Sequence, residues 1–228
     1  MEKIWSVLVH LGTNLWLEKD NTSGLEKYPS EAHKVWKQPA SPVLRFDEAT
    51  WADYKAWLAA HHVNAIVLDI AEGLVYPSHP ELAADGAWTP ERLAAEAESL
   101  RQMGIEVIPK LNFSTTHDVW LGEYAKMVSS QSYYDVCRAL IDDVCAILHP
   151  RYFHLGMDEE CYENQQDYEY VVIRQKKQWW HDLRYLVDCV EKNGARAMMW
   201  SDYAREHTAE DRGSMATAWY TASLSFRM

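Results

Sequence analysis

Short apolar runs alternate with longer amphipathic segments along this chain of 228 residues. The runs are rich in Val, Ile, Leu and Met and predict buried strands, which lie at 4–11, 63–71, 105–112, 151–158 and 195–203. A sixth strand is predicted at 215–220. Because the runs recur at roughly 40-residue intervals with helical patterns between them, they predict a parallel sheet built from βα units.

The segments between the strands carry helix signals and one long loop. Asp47 is the predicted N-cap of a first helix. Thr89 followed by Pro90 predicts the start of a second helix, which Gly104 ends. Residues 18–45 are polar and contain three prolines, so we expect an irregular excursion there.

Two further helices are predicted at about 132–148 and 167–193. In the second of these helices, Glu169, Asp182 and the neighbouring lysines beginning at Lys176 are expected to form a solvated face. Charged residues at helical spacing usually lie on the side that faces water.

The chemistry at the strand ends distinguishes two architectures that fit this order, a barrel and an open doubly wound sheet. An open nucleotide-binding sheet normally has a glycine-rich turn after its first strand, but residues 10–14 read His-Leu-Gly-Thr-Asn. Polar or aromatic residues instead follow almost every strand, including His10, Asp69, Asn112, Asp158, Glu159, Trp200 and Asp202. Convergence of many strand ends on one site is typical of a barrel.

We therefore predict an α/β fold of the (β/α)₈ TIM-barrel type that is incomplete, because about six βα units are found in the chain. A single catalytic domain is expected over residues 1–228, truncated at its C-terminus. The alternative is that a partner, such as a second copy in a homo-oligomer, covers the open barrel edges, since unpaired edges are an aggregation liability.

Charge and composition exclude several classes of protein. A net charge of −12 argues against nucleic acid as a partner, because binding phosphates needs a basic face. The chain lacks an apolar run long enough to span a bilayer, so we expect no membrane partner. The N-terminus has no basic region before its first apolar run, and the four cysteines occur singly, so the expectation is a cytoplasmic protein without a disulfide framework.

The segment from Arg151 to Glu160 carries the candidate chemistry. It ends in Asp158, Glu159 and Glu160, and adjacent acids at the end of a buried strand repel one another and lose hydration. Chains tolerate such acids mainly where the charges are used. A pair of carboxyl groups, one protonated and one ionised, is what glycoside cleavage requires. Neighbours in a strand point in opposite directions, so Asp158 and Glu159 serve one site only if the backbone turns between them.

Three segments in order along the chain resemble glycoside hydrolase family 20, the β-N-acetylhexosaminidases. Residues 154–159 are similar to the family's H-x-G-G-D-E motif on the fourth strand. Residues 104–109 read Gly-Ile-Glu-Val-Ile-Pro, as in the family's third strand, and residues 198–202 resemble its M-x-W-x-D strand. The resemblance covers about residues 63–203.

The resemblance implies a retaining mechanism in which the sugar's own 2-acetamido oxygen attacks the anomeric carbon. It implies that Glu159 is the general acid/base and that Asp158 orients the acetamido group and stabilises its developing charge. By the same resemblance Trp200 walls the sugar pocket and Asp202 binds hydroxyl groups. Tyr220 is the candidate for the tyrosine that holds the acetamido group in the family.

Five further residues are candidate substrate contacts, namely His10, Asp69, Asn112, His117 and His154. His154 has the alternative role of a satisfied histidine inside the barrel, and Asp69 has the alternative of pairing with Lys110. His117 lies one position later than the histidine of the family's E-x-D-x-P-G-H segment, and Lys110 and Asn112 replace that segment's acids. The acids near His154 match no metal-ligand spacing, so we expect no metal and no cofactor.

Two other functions stay open at this point. The first strand is followed by no arginine of the kind the family uses to grip sugar hydroxyls, which favours a non-catalytic carbohydrate-binding protein or a remnant barrel. The other is a two-carboxylate glycosidase that residues outside this chain complete.

Overall fold

Five parallel strands form one sheet in the order in which they occur along the chain. The computed structural model of the protein describes residues 3–18, 38–174, 176–201 and 221–223. The strands are β1 (Ser6–His10), β2 (Ala65–Asp69), β3 (Glu106–Lys110), β4 (Tyr152–His154) and β5 (Arg196–Trp200). Each pairs with the next in parallel, so the order is β1-β2-β3-β4-β5. In a doubly wound sheet the order of the strands reverses at a switch point, and no such reversal occurs among the described strands. The order therefore confirms the barrel type of fold.

The last strand of the sheet differs from the prediction. β6 (Thr221–Ser223) pairs with β5 in the antiparallel direction. The segment predicted as a sixth strand, 215–220, lies outside the described residues. The described sheet therefore contains six strands, of which the first five are parallel and the sixth is antiparallel. Two antiparallel strands can be joined at the same end of the sheet, whereas two parallel strands need a crossover connection. A strand that is antiparallel to β5 therefore requires no further βα unit.

Helices follow the strands where the cap residues predicted them. The α-helices are α1 (Glu48–Ala60), α2 (Pro90–Gln102), α3 (Gln131–Leu148), α4 (Tyr162–Gln165) and α5 (Lys176–Lys192), and short 3₁₀ helices occupy Ala71–Gly73, Pro80–Leu82 and Val119–Met127. The Asp47 side chain accepts a hydrogen bond of 2.7 Å from the Thr50 amide, and Thr89 accepts one of 3.2 Å from the Arg92 amide. In the described part of the chain, no helix is long and apolar enough to cross a membrane.

The helix predicted at 167–193 is shorter than expected. Residues 167–174 form turns and an irregular segment, and α5 starts only at Lys176. The predicted solvated face is also wrong at Asp182, which is fully buried. Both differences have one cause, because Arg174 and Asp182 belong to a buried ion-pair network that periodicity does not reveal.

The sheet packs differently on its two faces. Its outer face meets the helices in a large apolar core that includes Ile66, Val107 and Phe153. Its inner face carries a small cluster, formed by Ala65, Val67, Ile108 and Met198. Leu8 on the edge strand β1 remains 40% exposed, and Trp5, just before this strand, remains 59% exposed. Among the described residues β1 pairs with β2 alone, which fits a barrel that is partly built.

We predict that replacing Leu140 by Ala in α3 lowers the free energy of unfolding by about 2–5 kcal/mol, because the change leaves a cavity in a close-packed core. Leu140 is fully buried. Met103, which is 44% exposed, provides a matched control, and Met103→Ala should cost less than about 1 kcal/mol. Urea denaturation of both variants measures the difference, and equal losses would contradict the packing described here.

Candidate active site

A row of polar residues crosses four strands at their carboxyl ends. In the sheet register, neighbouring strands place side by side His10, Asp69, Lys110 and His154. The ammonium group of Lys110 forms an ion pair with Asp69, and both side chains are almost completely buried. His10 Nδ1 lies 3.3 Å from the same carboxylate oxygen. Asp69 and Lys110 therefore neutralise each other below the site.

The ionisation of Asp69 shows which effect dominates in this row. Burial raises the pKa of its carboxyl group, but the positive charge of Lys110 and the hydrogen bond and charge of His10 outweigh burial. The pKa of Asp69 is therefore held well below its ordinary value. The carboxylate stays charged across the working pH range.

The backbone turns sharply after β4, as the acid pair requires. Gly156 and Met157 both have φ of +69°, and Glu159 has φ of +54°. Left-handed backbone costs a residue with a Cβ roughly 1–2 kcal/mol, so at Met157 and Glu159 it persists only where neighbouring contacts fix it. The turn breaks the alternation of a strand, and Asp158 and Glu159 consequently face the same histidine.

Asn112 fixes this turn from the end of β3. Its side-chain oxygen accepts hydrogen bonds from the amides of Ser114, at 3.0 Å, and Met157, at 3.3 Å. Its amide nitrogen donates to Asp158 Oδ1 at 2.9 Å. A Cβ placed on Gly156 would lie 2.1 Å from the Asn112 oxygen, so this close approach admits glycine alone.

His117 stands between the two acids. Its Nε2 atom lies 3.6 Å from Asp158 Oδ2 and 3.4 Å from Glu159 Oε2. The side chains of His117 and Asp158 are 6% and 7% exposed, whereas Glu159 is 37% exposed and accessible to a ligand. Burial lowers the pKa of His117, but the charges of the two carboxylates outweigh burial and raise the pKa.

Hydroxyl groups of the loop after β3 hold the backbone of the acid pair. The Ser114 hydroxyl donates to the carbonyl oxygen of Asp158, and the Thr116 hydroxyl donates to that of Glu159 at 2.7 Å. Asn164 of α4 donates to the same Glu159 carbonyl at 3.1 Å. The loops after β3 and β4 therefore support each other.

Glu160 points away from the acid pair into a buried ion-pair network. Arg174 donates from Nε to both carboxylate oxygens of Glu160, at 3.0 and 3.1 Å, and from a terminal nitrogen at 2.6 Å. Its other terminal nitrogen donates to Asp182 at 3.1 Å. Burial lowers the pKa of Arg174, but the charge and hydrogen bonds of Glu160 outweigh burial and raise the pKa above its ordinary value. The guanidinium is therefore permanently charged. The network ties the loop after β4 to α5.

His154 is a buried neutral histidine. Its Nδ1 accepts a hydrogen bond of 3.0 Å from the Gly156 amide, which places the ring proton on Nε2. Its ring lies 4.5 Å from that of Trp200, centroid to centroid. Burial, reinforced by the charge of Lys110, lowers the pKa of His154 to about 3.

The structure brings together eight of the ten residues predicted for the site. Trp16 links the polar row to the acid pair, with its ring 5.7 Å from that of His10 and 6.0 Å from that of His117. Asp69, Asn112 and His154 are almost fully buried. Asp202 and Tyr220 lie outside the described residues, so their predicted roles remain predictions.

Sequence reasoning missed several residues that build the site. Trp16 had a visible signal, a lone aromatic in the loop just after β1. The hydroxyl run from Ser114 to Thr116 also had one, since it directly precedes His117. Arg174 had none, because its partner Glu160 is fixed by the path of an irregular loop.

Three of the described residues at this site carry atoms of the kind that ligate metal ions. One donor atom each from His117, Asp158 and Glu159 lies within 4.8 Å of the others. Sequence spacing did not predict this set, because His117 comes from a different strand end than the acids do.

Comparison with known proteins gives a family and a fold. The family model described as glycosyl hydrolase family 20, catalytic domain, matches residues 77–226. No curated protein gives a significant match to this chain.

Several solved structures are similar. The family 20 β-N-acetylhexosaminidase of Streptomyces coelicolor A3(2) has a TM-score of 0.60 and 14% identity, over 88% of this chain and 40% of its own. The β-N-acetylhexosaminidase of Bacteroides fragilis has a TM-score of 0.55 and 17% identity, over 71% of this chain and 40% of its own. A third is the exo-β-N-acetylglucosaminidase of Vibrio harveyi in complex with N-acetylglucosamine, with a TM-score of 0.58, 13% identity and coverage of 73% and 35%. The chain thus spans well under half the length of these enzymes.

We predict that Gly156→Ala destabilises the protein more than Gly104→Ala does. Both glycines have left-handed φ, +69° and +79°, so both variants lose about 1–2 kcal/mol of unfolding free energy through backbone strain. A Cβ on Gly104 meets nothing within 4 Å, whereas one on Gly156 collides with Asn112. The collision should add about 1–3 kcal/mol, measured by denaturant unfolding. Equal losses would show that Asn112 does not clamp the turn.

We predict that His154 makes the fold sensitive to acid. Its folded pKa of about 3 lies below the ordinary 6.5, so protons bind the unfolded state first as the pH falls. Stability is then lost below pH 6.5 at up to about 1.4 kcal/mol per pH unit. His154→Asn keeps an acceptor for the Gly156 amide and should flatten the profile of unfolding free energy between pH 6.5 and 4. An unchanged slope would assign the acid sensitivity to other groups.

Proposed function

Because this chain belongs to glycosyl hydrolase family 20, we propose that it is a glycoside hydrolase that removes a terminal sugar, with Glu159 as general acid/base. One observation carries the proposal: the turn after β4 directs Asp158 and Glu159 at the same imidazole. Two adjacent carboxylates in unlike surroundings, one buried and one accessible, suit the two roles that glycoside cleavage needs.

In the proposed first step, protonated Glu159 donates its proton to the glycosidic oxygen as the bond from that oxygen to the anomeric carbon breaks. The 2-acetamido oxygen of the same sugar attacks the anomeric carbon and forms a cyclic oxazolinium ion. Asp158 accepts a hydrogen bond from the acetamido N–H and stabilises the positive charge. Asn112 supports this role, because its hydrogen bond of 2.9 Å fixes the orientation of the Asp158 carboxylate.

In the second step, the carboxylate of Glu159 takes a proton from a water molecule, and the oxygen of that water attacks the anomeric carbon. The bond to the acetamido oxygen breaks, and the sugar leaves with its original anomeric configuration. The Glu159 side chain is 37% exposed, which supports this step because a water molecule can reach its carboxylate. His117 positions the carboxylates in both steps.

The sugar pocket is proposed to lie above the polar row. Trp16 and Trp200 offer aromatic walls on opposite sides of the row, next to His10 and His154. Flat apolar rings with a polar edge suit the faces of a sugar. Asp69 and Lys110 neutralise each other beneath this pocket, which favours an uncharged sugar.

We expect Glu159→Gln to lower kcat by about 10²–10⁴-fold on an aryl N-acetylhexosaminide, since the amide cannot donate the proton. The control is Glu163→Gln, an exposed residue of the short helix α4 that follows the acid pair, which should leave kcat unchanged. Thermal unfolding should be alike in the three proteins. Full activity in the Glu159 variant would remove this residue from the reaction.

A pair of substrates tests the acetamido step separately. We expect aryl glycosides with a 2-acetamido group to be hydrolysed at least about 100-fold faster than the matching hexosides that carry a 2-hydroxyl, since the internal nucleophile is worth several kcal/mol. A preference for the plain hexosides would contradict the substrate-assisted mechanism and favour a two-carboxylate glycosidase.

A non-catalytic sugar-binding protein is the second candidate. The described sheet has five parallel strands where a closed barrel of this type has eight, and Leu8 stays exposed on the edge strand. Binding of N-acetylhexosamine without turnover on either substrate would favour this function.

A further inference from the structure

We propose that Tyr168 is a positioning residue that holds the Trp16 wall of the sugar pocket in place. Tyr168 lies in the segment between the acid pair and α5, residues 161–174, which we call the strap. Its phenol hydroxyl joins two loops that leave different strands, the loop after β1 and the loop after β3. The inference rests on the proposed function in one respect, because it takes Trp16 as a wall of that pocket.

One hydroxyl group meets both loops immediately before their pocket residues. The Tyr168 hydroxyl donates a hydrogen bond to the carbonyl oxygen of Thr116 in the β3 loop, and the carbonyl oxygen of Leu15 in the β1 loop lies 3.3 Å from the same hydroxyl. The next residue of the β3 loop is His117 and that of the β1 loop is Trp16, and their rings lie 6.0 Å apart, edge to face. The hydroxyl therefore fixes the separation of the two loops where these rings meet.

The strap that carries Tyr168 is itself firmly anchored. The Tyr168 amide donates to the carbonyl oxygen of Gln165 at 2.9 Å. The buried side chain of Gln165 donates to the Thr115 hydroxyl at 3.0 Å and accepts from the Val172 amide at 2.8 Å. Arg174 ends the strap in the buried ion-pair network. A side chain on a segment held in this way can fix the position of a neighbouring loop.

The β1 loop has further anchors on both sides of the Tyr168 contact. Before the contact, the buried carboxylate of Glu72 accepts a hydrogen bond of 3.0 Å from the Asn14 amide. After it, a backbone amide of the strap donates to the Glu18 carboxylate at 2.9 Å. The Tyr168 contact lies between these two anchors and next to Trp16. Removing the hydroxyl should therefore loosen the Trp16 ring while the two ends of the loop stay attached.

The β3 loop depends less on Tyr168. The hydroxyl groups of Ser114 and Thr116 donate to the backbone carbonyl oxygens of the acid pair, and these hydrogen bonds do not involve the strap. His117 should therefore keep its place beside the acids when the Tyr168 hydroxyl is removed. Because Trp16 is the ring that is released, we expect the effect on sugar binding to exceed the effect on the chemical step.

Tyr168→Phe removes the hydroxyl and keeps the ring. We expect KM for an aryl N-acetylhexosaminide to rise about three- to tenfold, which is the worth of one hydrogen bond, and kcat to change by less than about twofold. The matched control is Tyr170→Phe, a residue of the strap that is 55% exposed, which should leave both constants unchanged. Thermal unfolding should be alike in the three proteins. A fall in kcat with an unchanged KM would contradict the proposal.

A double-mutant cycle separates positioning of Trp16 from a general effect on the fold. If Tyr168 acts through Trp16, Tyr168→Phe should raise KM by less than about 1.5-fold in a protein that already carries Trp16→Ala. An equal rise in the two backgrounds would show that the hydroxyl acts on something other than the wall, and the assignment would then be wrong.

Binding of N-acetylglucosamine, measured by calorimetry, keeps this proposal apart from the hydrolase. If the unchanged protein binds the sugar but does not hydrolyse the aryl glycoside, the proposed hydrolase fails. A three- to tenfold loss of affinity in Tyr168→Phe, absent when Trp16→Ala is already present, would still support the positioning role. The role is excluded if Tyr168→Phe binds the sugar as tightly as the unchanged protein does, or if the unchanged protein binds no sugar.

Discussion

The site depends on one constraint, the left-handed turn that Asn112 imposes on the chain leaving β4. Residues in a strand alternate in direction, so without the turn one of two adjacent acids would point away from the site. Glycine at 156 allows the Asn112 side chain to approach the backbone, and that side chain then bonds to Met157 and Asp158. Strain at Met157 and Glu159 is offset by these bonds and by the hydroxyl groups of the β3 loop.

Three consecutive acids acquire three different environments from this turn. Asp158 is buried and held by an amide, Glu159 is accessible, and Glu160 is sealed in an ion pair with Arg174. A carboxylate's chemistry is set by burial and by its neighbours, so identical side-chain types one residue apart are suited to different work. The third acid fixes the loop on which the first two depend.

The sequence predicted those features that depend on short stretches of chain. Apolar runs located all five parallel strands, and Asp47 and Thr89 marked helix starts, because alternation and capping act within a few residues. The row from His10 to His154 followed from the rule that parallel strand ends share an edge. The polar residues at the strand ends favoured the barrel over an open sheet, and the family resemblance, which the family model confirms, implies the same fold.

Features that join distant segments were not predictable in this way. Helical periodicity placed residues 167–174 in a helix and Asp182 in water, but a buried arginine that satisfies two acids overrides helix propensity. The contact of His117 with both acids was also hidden, since it depends on loop paths after two different strands. The direction of β6 depends on tertiary packing in the same manner.

The burial of the Glu160–Arg174–Asp182 network has a consequence for the medium in which the protein works. Dissolved ions screen charges that water reaches, over a Debye length of about 8 Å at physiological ionic strength, but they do not enter a packed interior. Exposed pairs such as Arg92 with Glu48 weaken in concentrated brine, whereas the sealed network does not. The loop that carries the acids is thus held by ion pairs that keep their strength at high salt concentration.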